Sequence, residues 1–340
     1  MYHKNLNIKI LSLIIIIVLL FLFNLFIGTI TIPFEDLLDI IFGNNTDSTN
    51  SVIVLNYRLP QAITALFAGA ALSVSGLLMQ TLFKNPLADP SMLGVSSGAG
   101  LGVSIIVLLT GIIGEKALVS FGLWADLSVS IAAFVGASMV LLLLLLFSFK
   151  LKNMTSLIII GLMISYLAGS ITDIMKYFSM KEDIHAFVIW GLGSFSAVGS
   201  SKICFFTISI SIGLILSILL IKKLNIIILG DTYAENLGLN IKKNNIAIIL
   251  ISGFLTAIVT AYCGPISFIG LAVPHLTRFI FRTSDHRILL PTTMLMGMSV
   301  SLLCNIVARI PGFEGNLPIN AVTAFIGAPV VIWVILRKRN

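Results

Sequence analysis

The sequence predicts an all-α integral membrane protein of about ten transmembrane helices. Hydrophobic residues make up 58% of the 340 residues and charged residues only 10%, whereas soluble domains carry about 25% charged residues. The mean hydropathy is +1.08, and long apolar runs such as Leu11–Ile27 and Val140–Phe147 recur along the chain. This composition excludes a soluble enzyme, a disordered tail and a secreted disulfide scaffold.

The predicted membrane spans follow from the length that a bilayer requires. A spanning helix needs about 20 mostly apolar residues. Such windows lie near 8–28, 58–82, 93–113, 127–148, 155–177, 203–221, 246–263, 267–281, 288–308 and 319–336. No small-residue cleavage site follows the first window, so we expect a retained helix rather than a signal peptide. Residues 180–201 are expected to form a half-helix or a re-entrant turn.

The positions of Lys and Arg predict the orientation, because cytoplasmic loops are enriched in them. With a cytoplasmic amino terminus, the inner loops hold fifteen of the 21 basic residues and four of the 14 acidic ones. Both termini are then cytoplasmic. The net charge of +7 is scattered in pairs, whereas a nucleic-acid-binding surface needs a contiguous basic face. We therefore expect membrane lipid around the chain and no nucleic acid.

The chain predicts a single transmembrane domain over residues 1–340. The longest stretches without a spanning window, 29–57 and 222–245, are shorter than a small soluble domain. The motif G-x-x-x-x-G-K-[ST] is absent from the sequence. Any ATP-driven activity therefore needs a separate ATPase, and the loop at about 222–245 is the longest cytoplasmic segment that it could reach.

Small residues at a four-residue spacing mark two neighbouring windows. They are Ala65, Gly69 and Ser73 in one and Gly94, Gly98 and Gly102 in the next. This spacing lets helix backbones approach closely in lipid. Between them, residues 84–90 read KNPLADP, and one regular helix cannot contain both prolines. The chain therefore breaks there, either as an element lining a wet pathway or as an ordinary cytoplasmic turn.

A second interruption is predicted over residues 264–275, which contain Gly264-Pro265 and Pro274. Paired interruptions in two halves of a chain indicate a transport path. His275 has no Asp, Glu or His three or four residues away, so we interpret it as structural and expect no metal site. No pairing of a nucleophile with a base lies within the windows, so no catalytic residues and no cofactor are expected.

Intramembrane charge is scarce, which bears on the energy source. Asp173 is the only carboxylate inside the predicted windows, and it lies near a helix end. Ion-coupled carriers usually place carboxylates or His chains near the midplane. An ion-coupled secondary transporter is therefore the weaker alternative.

The inner loop at 229–240 predicts a short amphipathic helix. Asp231 is suited to the N-cap, Ala234 and Leu237 would share a face, and Gly238 would provide a left-handed stop. From the residues alone, this helix is either a contact for a cytoplasmic partner or a helix packed on the lipid interface.

Several motifs in order give the chain a family resemblance. They are RLP at 58–60, NPLADP at 85–90, LGVSSGA at 93–99, an LG pair at 229–238, GLAVPHLTR at 270–278, DHRILLP at 285–291 and LPINAVTAFIGAPVVIW at 317–333. Together they resemble the FecCD family of ABC-importer permeases, which move ferric siderophores, haem or cobalamin across the bacterial inner membrane. The resemblance spans nearly the whole chain.

The resemblance implies a permease subunit with a type II ABC-importer-like fold, in which broken helices line a central pathway. Its partners would be a second permease subunit (the same chain or a paralogue), cytoplasmic ATPase subunits and an extracytoplasmic substrate-binding protein. The location would be the bacterial cytoplasmic membrane. Ferric siderophore is the cargo we expect, with haem or cobalamin as alternatives.

The resemblance also implies three groups of functional residues. ATPase coupling falls on Asp231, Ala234, Glu235, Leu237 and Gly238. Binding-protein docking falls on Arg58 and Arg309, although Gln61 stands where the family often has a second basic residue. The pathway and its cytoplasmic gate fall on Asn85, Leu87, Thr155 and Ser156.

Overall fold

Every regular element in the described part of the chain is a helix. The computed structural model describes residues 2–28, 30, 32–41, 49–113, 125–150, 154–310 and 316–337. The α-helices are α1 (Tyr2–Phe26), α2 (Phe34–Ile41), α3 (Thr49–Ile53), α4 (Leu59–Leu82), α5 (Val95–Ile113), α6 (Ala125–Lys150), α7 (Met154–Phe178), α8 (Lys181–Gly191), α9 (Ser200–Leu219), α10 (Ile221–Ile228), α11 (Asp231–Asn236), α12 (Ile241–Cys263), α13 (Ile269–Phe281), α14 (His286–Ala308) and α15 (Ile319–Arg337). Short π or 3-10 turns cover Val54–Arg58, Pro90–Leu93 and Phe195–Ala197.

The predicted membrane spans all fall on helices. Seven helical segments of the described chain are long and apolar enough to cross a membrane: Leu6–Phe26, Thr49–Leu82, Ser128–Lys150, Ser156–Phe178, Ser200–Leu219, Ile241–Cys263 and His286–Ala308. Shorter apolar helices at Val95–Leu108, Ile269–Phe281 and Ile319–Trp333 occupy the three remaining windows. Residues 180–201 form the 11-residue helix α8 followed by a short turn, so the half-helix expectation is confirmed.

The chain forms two units, each assembled from separate stretches of sequence. The first contains Met1–Val74, Ser194–Ile212 and Ser267–Asn340. In it, α13, α14 and α15 pack against one another, and α1 packs along α14. Only 11% of the apolar window of α1 is buried, so most of the apolar surface of this helix is exposed.

The second unit contains Ser75–Gly193 and Gly213–Ile266. Helix α5 lies at its centre and packs against α6, α7, α8 and α12. The approach is close because the facing residues are small. A Cβ at Gly98 would lie 2.6 Å from the carbonyl oxygen of Gly136. The small-residue stripe predicted in α5 is therefore a helix-packing surface.

A second close approach lies in the first unit, between α4 and α14. Ser301 Oγ donates a hydrogen bond of 2.6 Å to the carbonyl oxygen of Ala65. A Cβ at Gly69 would overlap the side chain of Ser301 and the carbonyl oxygen of Gly297. Ala65 faces Ser301, and Gly69, four residues later in α4, faces Gly297, four residues earlier in α14. The two helices therefore run antiparallel here.

The two predicted interruptions differ in length. The first separates α4, which ends at Leu82, from α5, which begins at Val95, as the prolines of KNPLADP predict. The second covers only residues 264–268, with positive φ at Gly264 (74°) and Phe268 (69°). The expectation that it extends to 275 is wrong, because Pro274 lies inside α13. As the sixth residue of this helix, Pro274 cannot donate to the carbonyl oxygen of Gly270, yet the helix continues to Phe281.

Replacing Gly69 by Ala tests the α4–α14 contact. We expect Gly69→Ala to lower the free energy of unfolding by about 1–3 kcal/mol, since the added methyl group forces the two backbones apart. Unfolding in detergent micelles measures this. Gly100→Ala is the matched control, because a Cβ at Gly100 meets no atom within 4 Å. Equal stability of both variants would contradict the close approach.

Candidate functional site

The short helix α11 occupies the predicted coupling loop. It runs from Asp231 to Asn236 and packs against α10 and α12. Glycines in left-handed regions bound it, Gly230 at φ 113° and Gly238 at φ 81°. The predicted stop at Gly238 is therefore confirmed. The predicted N-cap is wrong: Gly230 occupies that position, and Asp231 is the first helical residue.

The exposure of the α11 side chains divides the predicted coupling residues into one buried and four exposed residues. Ala234 is fully buried and so anchors the helix rather than offering a contact. Leu237 is 55% exposed, because the helix ends one residue before it, and it does not share a face with Ala234. Asp231, Glu235 and Gly238 are also exposed. Sequence reasoning missed Tyr233, an aromatic residue of α11 that is 54% exposed.

An ion pair joins α11 to the first interruption. Lys84 Nζ lies 2.7 Å from Asp231 Oδ1. Lys84 follows the end of α4 and has a positive φ of 49°. No local pattern in the sequence connects two residues 147 positions apart, so sequence reasoning could not predict this pair. The structure thus brings the expected coupling helix and the expected gate segment together.

The interruption itself is a series of hydrogen-bonded turns. Asn85 Oδ1 accepts a hydrogen bond of 3.0 Å from the N–H of Leu87, whose side chain is 39% exposed. Asp89 Oδ1 accepts one of 3.2 Å from the N–H of Ser91 and so begins the turn at 90–93. Partial burial raises the pKa of Asp89, although the hydrogen bond from Ser91 opposes that shift. The irregular backbone therefore carries its own polar partners.

The interruption contacts α7, the helix on which two gate residues were expected. A Cβ at Gly161 would lie 2.7 Å from the carbonyl oxygen of Met92. Ser156 lies near the start of the same helix and is half-buried. Thr155 belongs to the first turn of α7, and its side chain is outside the described residues. The contact shown with α7 thus comes from the turn at Pro90–Leu93.

Two buried guanidinium groups bind the end of α1. Arg58 is 5% exposed, and its Nη1 donates to the carbonyl oxygens of Leu25 at 2.9 Å and Phe26 at 2.7 Å. Arg58 Nη2 donates to the carbonyl oxygen of Ile30. Arg309 is 4% exposed and donates to Oδ1 of Asn24 at 2.6 Å. The last carbonyls of a helix lack intrahelical donors, and these arginines supply them.

The burial of Arg58 and Arg309 gives them a structural contact within the first unit. Docking of the binding protein, which the family resemblance implies for both residues, stays a prediction. Their N–H groups are bound to oxygens of α1 and the chain after it, because a buried charge is stable only when its donors are satisfied. Their role in this structure is to hold α1 against the first unit.

The His, Cys, Asp and Glu side chains of the described chain do not come together in a metal-binding cluster. No group of three or more His, Cys, Asp or Glu side chains in that part of the chain could hold a metal ion. Asp173 lies at 3.1 Å from Lys176 and is 75% exposed. The arrangement is therefore one of packed helices, two interruptions and a surface helix.

Comparison with known proteins decides the family. The profile of the FecCD transport family matches residues 15–337. The chain belongs to this family. The vitamin B12 import system permease protein BtuC of Klebsiella pneumoniae is 34% identical over 298 residues, which cover 88% of this chain and 86% of that protein. The hemin transport system permease protein HmuU of Yersinia pestis is 33% identical over 314 residues, which cover 92% and 90%.

The fold of the permease is also that of a solved transporter. A structure assigned to the metal-chelate type of ABC transporters, in an inward-facing conformation, has a TM-score of 0.83 and 29% identity, and the match covers 96% of this chain and 98% of that one. The predicted family and fold class are confirmed. The permease is a multi-pass inner-membrane subunit of an ABC importer, not an enzyme. Its partners are ATPase subunits, a binding protein and a second permease subunit.

Replacing Arg58 by Lys separates a structural role from a docking role. Arg58→Lys keeps the charge but loses the forked donors, so we expect the free energy of unfolding to fall by roughly 2–4 kcal/mol. Arg287→Lys, at an exposed position, should leave it unchanged. Unchanged stability of Arg58→Lys together with weaker binding-protein affinity would instead support docking.

Proposed function

We propose that this permease imports a ferric siderophore by alternating access, with haem or cobalamin as the alternative cargo. The relatives are named for bulky chelates, vitamin B12 and hemin. The observation that carries the proposal is the ion pair between Lys84 and Asp231, since it connects an exposed cytoplasmic helix to an interruption of the membrane helices. A connection of this kind is what an ATP-driven permease needs to pass movement from its ATPase to its pathway.

The proposed ATPase contact is the exposed face of α11. Asp231, Glu235, Leu237 and Gly238 are on its surface, and Tyr233 adds an exposed aromatic ring. Aromatic and aliphatic side chains that are half-exposed in one subunit are typical anchors of a protein interface. Buried Ala234 would transmit force by keeping α11 seated against its neighbours.

The proposed gate is the interruption after α4. Movement of α11 would pull Lys84 through Asp231 and shift Asn85 and Leu87, which follow it directly in the chain. Thr155 and Ser156 at the start of α7 complete the proposed gate. Each of these turns is closed by one or two hydrogen bonds, so rearranging them costs less than unwinding a helix.

The proposed topology follows the charge distribution. Lys and Arg enrichment puts both termini and α11 on the cytoplasmic side of a bacterial plasma membrane. Both units then belong to one permease domain over 1–340, and lipid covers exposed faces such as that of α1. The binding protein would dock at the end where α1 finishes, on a surface that Arg58 and Arg309 support from within.

ATP rather than an ion gradient is the proposed energy source. Asp173, the one carboxylate in the ten apolar segments of the described chain, is paired with Lys176 and mostly exposed. A proton or sodium relay needs carboxylates directed into a protein interior.

Reconstitution tests this function. We expect uptake of an iron-loaded siderophore into proteoliposomes to require the ATPase, ATP and the loaded binding protein, and to be unaffected when the proton gradient is collapsed. Radioactive iron retained in the vesicles is the measurement. Uptake that continues without the ATPase, or that tracks the proton gradient, would reject the proposal.

A charge exchange tests the coupling residues. Because both side chains are partly exposed, we expect Lys84→Asp or Asp231→Lys alone to lower uptake per ATP hydrolysed about two- to fivefold. The double variant should recover it, since the ion pair is restored with reversed charges. Lys242→Asp, at an exposed position nearby in the chain, is the matched control. Failure of the double variant to recover would contradict this role of the pair.

A further inference from the structure

A polar pocket in the first unit has no role in the function proposed so far. It has a volume of about 510 Å³ and opens to the surface. Asn56, Tyr57 and Gln61 line it on the side of α4, residues between Ser196 and Ser201 line it before and at the start of α9, and Asn316 completes it. Apart from Val198 and Gly199, the described residues that line it carry hydroxyl or amide groups, and none of the lining residues is charged.

The position of the pocket suits cargo entry. Asn56 and Tyr57 directly precede Arg58, which binds the end of α1. In the proposed topology this end faces outward, where the binding protein delivers its ligand. A pocket without charge in its lining binds weakly, as transfer of a ligand requires.

Gln61 is the lining residue whose orientation is fixed. It is 8% exposed, and its Nε2 donates a hydrogen bond of 3.0 Å to Oδ1 of Asn305. Asn305 in turn donates through Nδ2 to Oδ1 of Asn24 at 2.7 Å. Each amide thus has one end bound by its neighbour, and Oε1 of Gln61 is the end left for the pocket.

A guanidinium group sets the direction of these amides. Arg309 can only donate hydrogen bonds, and it donates to Oδ1 of Asn24 at 2.6 Å. The amide of Asn24 must therefore turn its Nδ2 elsewhere, and this atom donates to the carbonyl oxygens of Leu20 at 2.8 Å and Leu302 at 3.1 Å. With Oδ1 of Asn24 fixed as an acceptor, Asn305 must direct its Nδ2 to it and its Oδ1 to Gln61. A flip of any amide would place two donors or two acceptors in contact.

We propose that this pocket is an entry subsite for metal chelates with uncharged hydrogen-bond donors, such as amide N–H and hydroxyl groups, and that Gln61 Oε1 receives one of these donors. The Ser, Asn and Tyr groups around it can donate or accept and adapt to the rest of the ligand surface. Arg58 and Arg309 are at most 5% exposed and donate to oxygens of the first unit, so a ligand carboxylate has little access to them. The inference rests on the proposed import of a chelate and narrows its chemical class.

Replacing Gln61 by Met tests the subsite, because Met has similar length and no acceptor for an amide. The full importer, with its ATPase and binding protein, is reconstituted in proteoliposomes. Three probes are compared: a ferric hydroxamate on a cyclic peptide, cyanocobalamin and haemin. The first two carry amide donors, and haemin carries carboxylates. We expect wild-type uptake of an amide-bearing probe, and a three- to tenfold rise in its KM in Gln61→Met, about the worth of one hydrogen bond.

The readouts distinguish loss of the subsite from misfolding and from loss of ATP-driven import. ATPase stimulation by the loaded binding protein should be unchanged in Gln61→Met. Ser301→Ala, which also loses one buried hydrogen bond between α4 and α14, should leave KM unchanged. An unchanged KM in Gln61→Met, or wild-type preference for haemin, would overturn the inference and leave ATP-driven import intact. No ATP-dependent uptake of any probe would overturn both.

Discussion

The close antiparallel approach of α4 and α14 is the constraint on which the first unit depends. Gly69 and Gly297 let the two backbones meet, and Ser301 bonds to Ala65 one turn further. Eight residues from the glycines, about 12 Å along each helix, the same register brings Gln61 to Asn305. Packing of small residues thus aligns polar groups that would otherwise be unpaired in lipid, and it gives the pocket its oriented acceptor.

Hydrogen bonds to polar groups at its two ends explain how α1 is held in the first unit. The apolar surface of this helix is mostly exposed, so hydrophobic contact within the chain alone holds it weakly. Arg58 and Arg309 instead bind the oxygen atoms at its end, and Lys9 donates to the carbonyl oxygen of Ile280 at 2.7 Å near its beginning. Charges near a membrane boundary can therefore fasten a helix, and outward position in a topology map does not imply exposure.

The fold was largely predictable because its main determinants are local. Apolar length predicted the spans, paired prolines predicted the interruption after Leu82, and four-residue spacing predicted the packing of Gly69 and Gly98. The site was less predictable. The burial of Ala234 depends on the neighbours of α11, and the Lys84–Asp231 pair depends on a separation that no local pattern records. On α14, Gly297, Ser301 and Asn305 have the same four-residue spacing, so this packing surface could also have been predicted from the sequence.

The sequence by itself identified a membrane protein, the order of its helices and the family to which it belongs. Apolar length, prolines and motifs are all properties of short stretches of chain, so they can be recognised without the structure. The tertiary structure decided which polar groups meet. It assigned Arg58 to the carbonyls of α1, Lys84 to Asp231 and Gln61 to Asn305. In a membrane, a polar group takes the partner that packing puts within reach, and that choice follows from three-dimensional contact rather than from spacing along the chain.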